Sequence, residues 1–131
     1  MGNLKFKSNE NLAVAQMLVE KGYYNSSIHC SYYGCFQFMK SILCNRLSIS
    51  YETQDSNKNS STHEYIFGRL INKIKNVNNE RRFKVAFNSL KDKRKKADYS
   101  NELISEDEGL TAIEEAKRVI NYLEQEFGKL N

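Results

Sequence analysis

The chain has 131 residues, no proline, six glycines and long periodic runs between short polar breaks, which leaves room for one core and one domain over residues 1–131. Its three cysteines (Cys30, Cys35 and Cys44) are odd in number and form no C-x-x-C pair, and with only two histidines they argue against a disulfide framework and against bound metal. The formal net charge of +4 conceals a basic block, 81–96, followed by an acidic tail, 97–131.

In chain order, residues 8–21 predict the first helix, with Ser8 or Asn9 as cap, an apolar side of Leu12, Val14, Ala15, Leu18 and Val19, and Gly22 as stop. Tyr23 and Tyr24 fall in the turn, and Asn25 is placed to cap the next helix. That helix, 26–47, is the longest and carries few polar positions, so it is expected at the centre of the fold. Ser27, Ser31 and Gly34 repeat at i, i+4 and i+7, a spacing that lets a neighbouring helix approach closely. Tyr32 and Tyr33 read as core aromatics, with base stacking as the alternative.

Residues 48–61 form the longest polar break and predict an exposed loop. Ser61-Thr62-His63-Glu64 reads as a capping box opening a third helix, ended by Asn76 to Asn79. His63 sits where the helix dipole disfavours a protonated ring, so it reads as a neutral capping-region residue. The fourth helix, roughly 80–98, aligns Phe83, Ala86, Phe87, Leu90, Arg94 and Ala97 on one stripe at 3.6 residues per turn. A second capping box, Ser105-Glu106-Asp107-Glu108, starts the last helix. The expectation is an all-α, up-and-down bundle of four long helices plus a short one.

Arg94 is the anomaly in this pattern, because an unpaired charge on an apolar stripe is expensive. It needs a carboxylate, which Asp98 supplies one turn on, or a water-filled cleft, or a subunit boundary. Lys84, Lys91 and Lys95 lie along one flank as a basic ridge. Residues 81–96 hold eight basic groups against one acid, and residues 97–131 hold nine acids against three bases. Such polarity can attract phosphate, can neutralise itself between adjacent helices, or can bind an acidic partner protein.

The chain shows no P-loop, no dinucleotide-binding glycine pattern and no paired carboxylates at a credible spacing, so no cofactor is expected. His29 and Cys30 are adjacent on a helix and cannot face one another as a catalytic pair. No apolar run is long enough for a membrane span and no signal-like segment opens the chain, so a soluble, cytoplasmic protein is expected, with no membrane partner.

Five features in order resemble the HEPN superfamily of prokaryotic helical bundles. They are Gly22-Tyr23-Tyr24-Asn25-Ser26-Ser27, then Tyr32-Tyr33 followed by Phe36, the His63 helix start, Arg94-x-x-Ala97-Asp98-Tyr99, and the closing Ala- and Leu-rich helix. The resemblance implies a four- or five-helix bundle that dimerises, and linkage to a nucleotidyltransferase partner in toxin–antitoxin pairs. It also implies that catalytic members are metal-independent ribonucleases, with an arginine and a histidine four to six residues later, drawn from both subunits. Arg94 matches the arginine, but Tyr99 stands where the histidine would fall. Tyrosine is a poor general base near neutral pH, so weak or no ribonuclease activity is expected.

The reading is therefore a homodimeric protein of a toxin–antitoxin or defence system that binds RNA, a nucleotide or a nucleotidyltransferase. Arg94 would clamp phosphate, Asp98 would orient it, Tyr99 would bond to the ligand, and Lys91 and Lys95 would steer. The alternative is a non-enzymatic interaction or immunity module using the same basic helix surface.

Overall fold

The computed structural model describes residues 3–56 and 61–130. These form six helices: α1 (Asn3–Glu20), α2 (Tyr24–Leu47), α3 (Tyr51–Asp55), α4 (Thr62–Lys73), α5 (Val77–Tyr99) and α6 (Glu106–Phe127). Among the described residues there is no strand, and no helix is long and apolar enough to cross a membrane. The architecture is an all-α bundle in which α2 packs against α1, α4, α5 and α6.

The helices form where the periodicity places them, with three local differences. The first helix begins at Asn3, so neither Ser8 nor Asn9 caps it. Ser8 is instead a buried mid-helix residue whose hydroxyl donates to the Gly34 carbonyl at 2.6 Å. A side chain on Gly34 would place its Cβ 3.1 Å from both Leu12 Cγ and the Ser8 carbonyl oxygen, so any larger residue would require α1 to give by a few tenths of an ångström. About two helical turns away, the Ser27 hydroxyl donates to the Ala15 carbonyl at 2.8 Å. The small-residue spacing thus works as a seam at which Ser8 and Ser27 each bond to a carbonyl of the facing helix, while the buried Ser31 hydroxyl has no partner among the described residues.

The second difference is at the start of α2. Tyr23 holds the cap position with no side-chain hydrogen bond, and Asn25 lies inside the helix rather than before it. Gly22 makes the break, with φ of +86°. The third is in the 48–61 break, where Ser50 caps the single-turn α3 by accepting from Thr53 N. The remainder of that predicted loop, 57–60, lies outside the described residues. Asn76 opens α5 as much as it closes α4, since its side chain accepts from Asn79 N at 3.0 Å.

The core is aromatic and aliphatic. Tyr32, Phe38, Phe83, Phe87, Met39 and Leu123 are fully buried, and each such side chain contributes about 1.5–3 kcal/mol by leaving water. Phe67 stacks on Phe83 and Phe87, with ring centroids 5.4 and 5.1 Å apart, which fixes α4 against α5. Cys35 is buried among them, while Cys30 and Cys44 are half-buried, and all three are free thiols.

Candidate functional site

The predicted stripe of α5 is the buried side of that helix: Phe83, Ala86, Phe87, Leu90 and Arg94 are its buried residues. Arg94 is only 8% exposed. Its guanidinium lies over the ring of Tyr32, 4.7 Å from the centroid, with Tyr99 at 5.7 Å and Tyr33 at 6.0 Å. Aromatic faces carry negative quadrupole density, so this cage compensates part of the lost hydration. One guanidinium nitrogen donates to the Tyr99 hydroxyl at 3.4 Å, and the same nitrogen is 3.7 Å from Asp98 Oδ2. Burial weighs against the charge, but the three tyrosines and Asp98 outweigh it and hold the guanidinium pKa above its ordinary value. Arg94 Nε is buried and has no hydrogen-bond partner.

Arg94 also lines a cleft of about 370 Å³ shared with Tyr33, Ser61, His63, Glu64, Lys91, Lys95 and Tyr99. The elements explain the meeting. α2 supplies Tyr33, the start of α4 supplies Ser61 to Glu64, and the last turns of α5 supply the cations. Neither Lys91 nor Lys95 makes an ion pair with a described residue. Glu64 is the one acid lining the cleft, and its carboxylate accepts from the Ser61 hydroxyl at 3.1 Å. Tyr99 is 77% exposed and forms part of the rim. The balance of the cleft is cationic and rich in donors.

His63 is drawn deeper than a capping residue. Its ring stacks on Phe36 with centroids 4.1 Å apart, and its Nδ1 is 2.5 Å from the Tyr32 hydroxyl. Burial pushes the His63 pKa down, and the charges of Arg94, Lys91 and Lys40 push the same way, so the ring is neutral at pH 7. Burial also raises the Tyr32 hydroxyl to about 12, against the lowering effect of Arg94. Both groups are therefore hydrogen-bonding, uncharged members of the site.

Four of the five sequence-predicted residues (Lys91, Arg94, Lys95 and Tyr99) line this cleft. Asp98 does not. It stands behind Arg94, where both of its carboxylate oxygens are 3.2 Å from His29 Nδ1, at a smaller cleft shared with Asn25, Ser26 and Cys30. Asp98 is thus shared between His29 and Arg94. The residues that sequence reasoning assigned to packing or capping are Tyr32, Tyr33 and His63. Nothing in the spacing within α2 or α4 says that either helix reaches Arg94.

A family described as the HEPN domain matches residues 1–126 of this chain. Neither the curated proteins nor the solved structures give a match.

Proposed function

The chain belongs to the HEPN family, and on that premise we propose that it binds RNA or nucleotide phosphate through the Lys91–Arg94–Lys95 cleft, with little or no ribonuclease activity. The observation that carries this reading is the convergence of three cations, Lys91, Arg94 and Lys95, on one cleft. A guanidinium offers a planar set of donors suited to phosphate, and two lysines at the mouth add attraction at longer range. Tyr99 donates to or accepts from the ligand beside Arg94. Cleavage would need a group that takes a proton near neutral pH, and a phenol titrates near pH 10.

In this proposal the protein works as a homodimer within a toxin–antitoxin or defence system, beside a nucleotidyltransferase partner. The dimer supplies the boundary at which the exposed Tyr99 ring is covered. Light scattering should give twice the chain mass of 15.3 kDa; a monomer at micromolar concentration would refute the dimer.

Binding is tested by fluorescence anisotropy of a short single-stranded RNA across a salt series. Lys91→Ala and Lys95→Ala should each weaken binding and flatten the salt dependence by about 0.7–0.9 of a slope unit, because each lysine releases about one counterion. Arg94→Ala should weaken it further. In EDTA the wild type should leave the RNA intact. Rapid metal-free cleavage lost in Tyr99→Phe would overturn the weak-nuclease part, and absence of any salt-sensitive binding would overturn the whole.

The second reading, a non-enzymatic interaction or immunity module, draws on a different observation. Tyr23 and Leu103, 60% and 90% exposed, line a separate cleft at the start of α2. Exposed aromatic and aliphatic side chains at one cleft favour protein contact. Partner binding through that surface would resist salt and would survive Lys95→Ala.

A further inference from the structure

We propose that His63 is a phosphate-contacting residue of this cleft, held by Tyr32 as a fixed Nε2–H donor. The inference rests on the reading of the cleft as a phosphate site and adds a ligand-binding group that lies 31 residues before Arg94.

The argument starts from the Tyr32 hydroxyl. Tyr32 is fully buried, and the one acceptor that its hydroxyl meets among the described residues is His63 Nδ1. The other polar group over the ring is the Arg94 guanidinium, which carries donors and no acceptor. A buried hydroxyl proton without an acceptor is costly, so it is directed at Nδ1. An imidazole that accepts at Nδ1 carries its own proton on Nε2. The tautomer is therefore set by α2.

The ring is also fixed in orientation. Phe36 and Tyr32 both stack on it, at 4.1 and 5.5 Å and within 16° and 12° of parallel. Nε2 makes no hydrogen bond to a described residue, and His63 lines the cleft alongside Lys91, Arg94 and Lys95. The acceptor that fits an N–H among three cations is an anionic oxygen. Because the ring is neutral, it adds a directional contact without releasing a counterion. The same proton leaves Nε2 without the lone pair that a general base needs, which agrees with a cleft that binds RNA and does not cut it.

Two measurements on the intact protein test this. In nitrogen-15 NMR spectra of the imidazole rings at about pH 7.5, His63 should appear as a single Nε2–H tautomer, with His29 assigned from His29→Gln. Tyr32→Phe should convert it to a mixture. In the RNA anisotropy assay, His63→Asn should weaken binding on the order of tenfold with an unchanged salt slope. His63→Gln, whose amide reaches the Nε2 position, should recover most of that loss. An Nδ1–H tautomer in the wild type overturns the proposal. So does a His63→Asn protein that binds RNA as the wild type does while Lys95→Ala is weakened, an outcome that leaves the phosphate cleft standing. If the wild type binds no RNA at all, the cleft reading and this contact fall together, and the NMR result still decides the Tyr32–His63 pairing.

Discussion

The two flanks of α5 carry the same kind of charge and use it in opposite ways. On the α6 side, Lys93 Nζ lies 3.0 and 3.1 Å from the two oxygens of the buried Glu115, and Lys96 Nζ lies 2.9 Å from Glu108 Oε2. On the side facing α2 and α4, Lys91 and Lys95 make no ion pair with a described residue although Glu64 lines the same cleft, and Arg94 is laid over tyrosine rings. The difference comes from the neighbours. α6 brings Glu108 and Glu115 to its contact face, whereas α2 brings Tyr32, Tyr33 and Phe36. Self-neutralisation and a free basic surface, which look like alternatives in a linear reading, coexist on opposite sides of one helix. A run of basic residues has no single role once a helix has distributed it over its faces.

The largest effect should come from breaking the α6 flank. Glu115→Ala removes the partner of Lys93, whose side chain is only 19% exposed, and should destabilise the fold by about 3 kcal/mol. RNA affinity per folded molecule should be unchanged. Lys95→Ala should do the reverse, with a stability change within about 0.5 kcal/mol and weaker RNA binding. Urea denaturation paired with anisotropy reads both. If Glu115→Ala were harmless to stability, the α6 flank would be no more than a set of solvated charges, and the contrast between the flanks would collapse.

A smaller effect tests the start of α6, from which Glu108 reaches Lys96. The Ser105 hydroxyl accepts from Glu108 N, and the Glu108 side chain accepts from Ser105 N, both at 3.1 Å, completing the reciprocal capping box. Ser105→Ala should cost about 1 kcal/mol in urea denaturation while leaving RNA affinity intact. A loss of binding in this variant would mean that the two flanks are coupled through α6.

The fold was legible because periodicity is local. Phe83, Phe87 and Leu90 fall on one stripe by spacing alone, and the packed structure buries that stripe. Arg94 was legible as an anomaly for the same reason, since a cation on an apolar stripe must be compensated. What compensates it was not legible. Tyr32 is 62 positions earlier, and the spacing of the aromatics on α2 records no contact with α5. Ser8 shows the same limit: beside a predicted helix start it reads as a cap, and only the closeness of Gly34 makes it a buried donor. His63 reads from the sequence as a neutral residue in the first turn of its helix, and it is one, but its stacking on Phe36 is a tertiary fact that the capping position does not announce.

The last and smallest expected effect separates the flanks by pH. His63 belongs to the cleft side, and its folded pKa lies below the ordinary value of 6.5 because burial, then Arg94, Lys91 and Lys40, oppose its charge. Above pH 6.5 the ring is neutral in both folded and unfolded chains, and its contribution is fully present. As pH falls below that value the unfolded chain takes up a proton that the folded cleft resists, so stability declines until the folded histidine itself titrates. Glu108 belongs to the α6 side, and its carboxyl is held below its ordinary 4.5 by the Lys96 hydrogen bond first and by the Ser105 backbone next. Its contribution is complete above pH 4.5 and is lost as pH falls from there through the lower folded value. Urea midpoints measured from about pH 7.5 to about pH 3.5 should therefore show two separate declines. His63→Asn should flatten only the upper one. Glu108→Gln should flatten only the lower one, since glutamine still serves the capping box. One common decline removed by either substitution would mean that the charges on the two sides of α5 act as a single network, and the division between a neutralised flank and an open one would not hold.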